Sequence, residues 1–518
     1  MGSFPHKNVV FCRLIPHKSV VFDRLITHKS VFFDRLIPHK SVFFCSLIPH
    51  KNVKIVAKSF IISNFALYLK LWLMKRNIYK ELKAWKENPK HKPLVLLGAR
   101  QVGKTYIIKE FGKNEFENMV YVNCHNNRFA EGLFVDFNMD RIIYQLEQAN
   151  EHRIISGKTL LFFDEIQEVP NGISSLKYFC EDRRDLHVVV AGSLLGISIR
   201  KDESYPVGKV NDLRMYPMTF DEFLMANGRD LLADAVRNLD WDSMTLQHEL
   251  LTDYLRQYYF CGGMPEAVST WIENHDAKET RDVQRSILAT YSKDMGKHTN
   301  AEVVRIRQVW DSIPAQLAKE NKKFVFGAIK KGARAADFEK AIQWLTDAGL
   351  VYKVARVTKP QEPLKFYADD SAFKIYLLDC GLLSCMCGAR SREMLIGMDV
   401  FSEFKGAFTE NYILSQIKSL ELHDEMDKNI FYFSKDSSTM EVDFIVQGNR
   451  RVIPTEAKAE ENVRAKSLRL FVTEEFKNFG LKGLRISMLP YKDQEWMENI
   501  PLYSAEAYFK NEGLGTDE

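Results

Sequence analysis

The chain has 518 residues, 46% of them hydrophobic and 27% charged, which excludes a wholly disordered or collagen-like protein and predicts about three folded domains. Its formal net charge of +4 is uneven: residues 1–73 hold 11 Lys+Arg and 2 Asp+Glu, leaving 61 basic and 66 acidic residues elsewhere. The body is slightly acidic, so any nucleic acid would be met by a local patch and not by overall charge.

Residues 1–73 are a repetitive leader. His-Lys recurs at 6, 17, 28, 39 and 50, an 11-residue period whose full units mostly close on proline. Period 11 suits a right-handed supercoil, but proline interrupts a continuous helix, and four short units without caps make a poor solenoid. The expectation is a leader that is disordered or not native, with translation starting at Met74. The longest uncharged run near its end, residues 59–69, is bracketed by Lys58 and Lys70 and is too short to span a bilayer, with an interfacial helix as the alternative. No small-residue cleavage site follows it. The eight cysteines form no C-x-x-C pair, and Cys380, Cys385 and Cys387 have no histidine at zinc-finger spacing. Reduced thiols, no membrane span and a cytoplasmic location are therefore expected.

The nucleotide-binding core is predicted over 74–225. An amphipathic helical stretch from Met74 to Trp85 precedes the short apolar strand Leu94-Val95-Leu96-Leu97. The loop Gly98-Ala99-Arg100-Gln101-Val102-Gly103-Lys104-Thr105 then has the form G-x-x-x-x-G-K-[ST] and runs into a helical pattern. Its glycines allow backbone N–H groups to turn toward an anion, and the helix adds the positive end of its dipole. Lys104 would reach the β- and γ-phosphates of ATP, and the Thr105 hydroxyl would ligate Mg²⁺. A glycine turn joining a strand to a helix is the plainer alternative.

A second strand is expected over Phe116–Asn123, and a third, Thr159–Phe163, ends in Asp164-Glu165. An acid at the end of a buried strand is costly unless it serves a cation, so Asp164 is the expected Mg²⁺ partner and Glu165 the group that polarises the attacking water. The bland alternative is a helix N-cap. A strand from Leu186 to Ala191 ends in Gly192-Ser193, which places Ser193 for the γ-phosphate or the attacking water, or else as an N-cap. Arg200 is the candidate for an arginine supplied in trans, since Arg183 and Arg184 lie on the other side of that strand.

On GARQVGKT at 98–105, FFDEIQEVP at 162–170, AGSLLG at 191–196, PVGKV at 206–210, YPMTFDEF at 216–223 and GGMPEAV at 262–268, residues 75–518 resemble a prokaryotic AAA+-type ATPase family. In that family the C-terminal half is a domain of unknown function numbered 4143, and its proteins commonly begin where Met74 stands. The resemblance implies ATP binding and hydrolysis and leaves the cellular role open.

A helical lid is predicted over 226–300, broken at Gly262-Gly263-Met264-Pro265. Arg281, Arg285, Lys293 and Lys297 lie at near-helical spacing on it, facing either ATP or solvent. A winged-helix domain is predicted over 301–390, from helices at 302–320, 324–331 and 335–348 followed by a strand at 350–357. Lys322, Lys323, Lys330, Lys331 and Arg334 cluster ahead of its third helix, where DNA phosphates would lie. A packing or protein-interaction module with a solvated charged face is the alternative.

The last module, 395–518, opens with a helix from Phe404 that carries Glu410. Strands at 429–434, 440–446 and 451–458 follow, the last two pairing as a hairpin about Gly448-Asn449. Strand period two puts Glu456 and Lys458 on one face, with Asp443 on the adjacent strand. This is the D-x(n)-E-x-K pattern of PD-(D/E)xK nucleases, joined by Glu410, although Val442 stands where a proline often precedes the aspartate. In that chemistry Asp443 and Glu456 hold Mg²⁺ and Lys458 orients water during phosphodiester hydrolysis. A salt-bridged pair of strands explains the same residues. The fold class expected is thus α/β: a P-loop parallel-sheet ATPase domain with a helical lid, a winged helix and a PD-(D/E)xK-like domain. The partners admitted are ATP, DNA, a protein partner and further copies of the chain. The alternative function is a nucleotide-gated binding switch that contacts a protein and has no nuclease activity.

Overall fold

Leu94–Leu97 (β1) is buried along its whole length and lies within a five-stranded sheet, flanked on both sides. In a computed structural model, residues 74–193, 205–296, 300–319, 323–396, 405–422, 430–435, 440–459 and 465–514 are described. All belong to one unit, Lys70–Glu518. The repetitive leader and the expectations placed on it lie outside the described residues, as do Arg200, Lys297 and Lys322.

β1 is joined by β2 (Asn118–Asn123), β3 (Thr159–Asp164), β4 (His187–Ala191) and β5 (Asn211–Arg214), all parallel, in the order β2-β3-β4-β1-β5. The apolar runs are continuous because both faces are covered. Leu94, Leu96, Leu160 and Phe162 face the N-terminal and loop helices. Val95, Leu97, Leu161 and Phe163 face the helices at 128–133, 139–150 and 172–182. The register aligns Asn123, Asp164 and Ala191 across three strands, so the loop after β1 and the acids after β3 open on the same carboxyl edge.

Five helices lie between Asp230 and Met295, within the span where a helical lid was expected. Helices Asn300–Leu317, Phe326–Ile329 and Ala335–Asp347 precede an antiparallel hairpin of β6 (Val351–Val357) and β7 (Ala368–Leu377). The hairpin does not stand apart. β6 pairs in parallel with β8 (Ile430–Ser434) at Arg356 and Tyr432, which extends it into β9 (Glu441–Gln447), β10 (Val452–Ala457), β11 (Gly483–Ser487), β12 (Lys492–Asp493) and β13 (Met497–Pro501). The result is one mixed eight-stranded sheet, β12-β13-β11-β10-β9-β8-β6-β7. A single apolar cluster, running from Ile78 to Leu514, links this sheet to the first.

The GGMP turn is a joint in this structure. Gly263 donates its N–H to Asp379 at 2.6 Å and accepts from the Met218 N–H at 2.7 Å, and a side chain on Gly263 would overlap the Met218 carbonyl. Asp379 also accepts the Leu382 N–H at 2.8 Å, and burial pushes its carboxyl up to about 6. One turn thus ties the five-stranded core, the bundle and the helix Cys380–Met386 together.

Candidate functional site

The phosphate loop takes a backbone path that only glycine follows without strain at two positions. Gly98 and Gly103 have φ of +140° and +99°, and a Cβ on Gly98 would overlap the Met215 carbonyl oxygen. From outside, Arg76 fastens the loop: its Nη1 donates to the Val102 carbonyl at 2.9 Å and its Nη2 to the Tyr216 carbonyl at 2.6 Å. Its Nε donates to Glu222 at 2.9 Å. Thr219 and Glu222 form the capping box of helix Phe220–Ala226, so the YPMTFDEF motif builds the socket for Arg76.

Lys104 is buried at the start of the loop helix Lys104–Glu115 and donates to the carbonyls of Gly98 and Ala99, each at 2.7 Å. Burial pulls its ammonium down to about 8, against the charges of Glu165 and Asp164. As the expected phosphate contact, the lysine would be charged in advance below about pH 8 and would take up a proton on binding above it. ATP affinity is therefore expected to be flat to about pH 7.5 and to weaken as pH rises beyond about 8, approaching about tenfold per unit, as read from the Kd between about pH 7 and 9.5.

The Thr105 hydroxyl donates to Asp164 Oδ2 at 2.8 Å, across the intervening β4. Burial raises the Asp164 carboxyl and the neighbouring Glu165 charge adds to this, while hydrogen bonds from Thr105 and Tyr121 oppose it. An acid penalised in this way is stabilised by a cation, and a hydroxyl beside it supplies the oxygen a hard divalent ion takes, so the pair fits Mg²⁺. Glu165, at φ +53°, turns back to Ser193. The Ser193 N–H lies 3.0 Å from Glu165 Oε2 and its hydroxyl 3.0 Å from Oε1, and Gln167 Nε2 donates to Oε2 at 2.6 Å. Ser193 therefore holds the Glu165 carboxylate in this structure.

The remaining loop residues face the bundle. Arg100 Nη1 lies 2.7 Å from both oxygens of buried Asp294, and the Tyr291 hydroxyl donates to the Arg100 carbonyl at 2.9 Å. A small cleft beside them is lined by Arg100, Ser193, Tyr291, Asp294, Ala348 and Leu350. Gln101 has φ +66°, while Ala99 and Val102 are buried. Arg281, placed by its helical spacing toward ATP or solvent, faces neither. It is 5% exposed, lies over the Phe260 ring, and donates to Gln284, to the Ser384 hydroxyl and to the Ala389 carbonyl. Arg285 and Lys293 are exposed. Arg184 donates to the carbonyls of Lys90 and His91, and Arg183 to Asp185.

The four residues of the C-terminal pattern form a second neighbourhood. Lys458 Nζ lies 2.6 Å from Glu456 Oε1, and Asp443 Oδ2 accepts the Ala457 N–H at 2.9 Å. Burial disfavours charge on Lys458, but Glu456, Asp443 and Glu410 together hold its ammonium above the ordinary value. Glu410, on helix Lys405–Lys418, accepts from the Tyr376 hydroxyl at 2.8 Å. Lys374, Tyr376 and Glu441 were not singled out by the sequence pattern. Lys374 Nζ lies 2.5 Å from Glu441 Oε1 and 3.7 Å from Glu410 Oε2. Among the described residues no three His, Cys, Asp or Glu side chains are grouped to hold a metal ion. No described helix is long and apolar enough to cross a membrane.

Comparison with known proteins matches three segments, the middle one running across the boundary expected between the helical lid and the winged helix. An AAA domain matches residues 90–224, a domain of unknown function numbered 8612 matches 252–393, and the domain of unknown function numbered 4143 matches 405–504. No curated protein matches. Among solved structures, a single-substitution variant of Thermotoga maritima RuvB matches at 16% identity over 54% of this chain and 89% of that chain, with a TM-score of 0.24. The chain joins an AAA-type ATPase domain to a C-terminal domain of unknown function 4143.

Proposed function

We propose that this chain is a Mg²⁺-dependent ATPase whose nucleotide state governs a winged-helix and nuclease-like C-terminal half acting on or near DNA. The observation that carries the reading is the 2.8 Å contact between Thr105 and Asp164, with Glu165 held beside it by Ser193. Bound Mg²⁺, held by Thr105 and Asp164, would neutralise charge on the phosphates. Lys104 exchanges its two carbonyl partners for phosphate oxygens. Glu165 accepts a proton from the attacking water, and Ser193 fixes its aim. Exposed Lys330, Lys331 and Arg334 lead into the helix Ala335–Asp347 and Lys353 is exposed on β6, which supports contact with DNA phosphates. Replacing Lys104 with Ala is expected to remove ATP binding and turnover together. Unchanged affinity and rate, measured by equilibrium binding and phosphate release, would end the assignment. ATPase rate with and without DNA, at two protein concentrations, reports the effector and any assembly of copies.

A second reading, a nucleotide-gated switch that contacts a protein partner and turns over slowly, is favoured by the contacts of the loop's two cations. Lys104 is already occupied by two carbonyls, and Arg100 is committed to Asp294. Metal-dependent nicking of plasmid DNA that Asp443→Ala abolishes supports the first reading. No nicking under any metal or ATP condition supports the switch.

A further inference from the structure

β7 carries one charged residue in its buried half: Lys374, in the run Ala372-Phe373-Lys374-Ile375-Tyr376-Leu377, is wholly buried. An ammonium taken out of water persists only where fixed acids repay the lost hydration. Two do so here. Glu441 of β9 lies 2.5 Å from Nζ and Glu410 of helix Lys405–Lys418 lies 3.7 Å from it, with the face of the Tyr432 ring 4.9 Å away. Tyr376, two residues along the same strand and so on the same side, donates to the very Glu410 oxygen nearest Lys374. Glu410 is the helix-borne acid that would complete a metal set with Asp443 and Glu456. In this chain it is already committed to a lysine and a phenol.

We infer that Lys374 is the resident cation of the C-terminal carboxylate cluster, holding Glu410 and Glu441 where a metal-dependent phosphodiesterase would need acids to converge on a divalent ion. The inference rests on the nuclease-like reading of this half and says that the frame is kept while the metal is replaced. Such a site orders the junction of β7, β9 and the helix, and leaves Lys458 and Glu456 as an ion pair. It predicts that this half does not cleave DNA, the outcome that favours the nucleotide-gated switch of the two readings above.

The test is a Mn²⁺ titration of the nucleotide-free full chain, followed by electron paramagnetic resonance. Wild type and Asp443→Asn should bind Mn²⁺ alike. Lys374→Met should gain a site at least tenfold tighter that Asp443→Asn removes in the double variant, with thermal melting checking that each variant is folded. The inference is overturned if Asp443→Asn weakens Mn²⁺ binding tenfold or more in the wild-type background. A folded Lys374→Met that gains no site also overturns it. If Lys374→Met does not fold, the comparison of wild type with Asp443→Asn decides alone. A gained site that ignores Asp443 overturns the inference as well, because the nuclease-like frame on which it rests is then absent. The titration needs no ATP, so a failure of the ATPase assignment would show separately, in the Lys104→Ala binding measurement.

Discussion

Glu165→Gln is expected, at about pH 6.5 where Lys104 stays charged without the Glu165 carboxylate, to bind ATP as the wild type does and to hydrolyse it about 10²–10⁴-fold more slowly, the range found when a positioned general base is removed. The substitution keeps the shape of the side chain and leaves Lys104, Thr105 and Asp164 in place, so the ground-state contacts to nucleotide survive. What goes is the oxygen that takes the proton of the attacking water. Ser193→Ala should act in the same direction with a smaller effect, about tenfold, because it removes the hydroxyl contact to Glu165 and leaves the backbone one at 3.0 Å. Single-turnover hydrolysis, with ATP affinity measured beside it, separates the two steps. A Glu165→Gln protein that hydrolyses at the wild-type rate would move the base elsewhere. One that loses affinity and rate equally would make Glu165 a structural acid.

What the sequence made legible is what short segments decide for themselves. The turn at Gly98–Thr105, the apolar strand before Asp164 and the period-two placing of Glu456 and Lys458 are local, and each lies in the structure where local rules put it. The hydrophobic runs marked the edges of β1 to β4 to within about two residues, since parallel strands buried on both faces read as unbroken apolar stretches, while β5, the polar run Asn211–Arg214, was not expected. Contacts that close over long loops were not legible. Asp294 lies 194 residues from its partner Arg100, and nothing in the spacing of either residue announces the other. Lys374 looks like an ordinary strand lysine until Glu410 and Glu441 are folded onto it. Arg281 shows the same limit from the other side. Helical spacing assigned it to a charged stripe, which treats one helix as if it stood alone. Packing against the helix Cys380–Met386 turned that position into a buried hydrogen-bonding centre. The pairing of β6 with β8 is again tertiary, and it joins the hairpin after the third helix and the C-terminal strands into one sheet.

Arg76→Ala is expected to cost about 3–5 kcal/mol of stability, the range for breaking a buried ion pair and stranding its partner. Side-chain exposure is 5% for Arg76 and 3% for Glu222, so the carboxylate left behind would be buried without its counter-charge. Burial already raises the Glu222 carboxyl, with the Arg76 charge the strongest influence opposing it, and the variant loses that opposition. Lysine should not rescue the loss. The guanidinium reaches three acceptors in different directions, Glu222, the Val102 carbonyl and the Tyr216 carbonyl, and a single ammonium on a flexible stem does not reproduce that fork. A paired Arg76→Met, Glu222→Met protein should recover much of the stability, because an apolar pair removes the stranded charge. It should not recover nucleotide affinity to the same extent, since the Val102 carbonyl stays unfastened and the loop is free to drift from the shape Gly98 and Gly103 allow. Thermal melting and ATP affinity, measured on the three variants together, distinguish the two roles of this residue. If the double variant regains both in full, Arg76 is a packing residue and the loop holds its own shape. If stability returns and affinity does not, the socket built by Thr219 and Glu222 serves the phosphate loop.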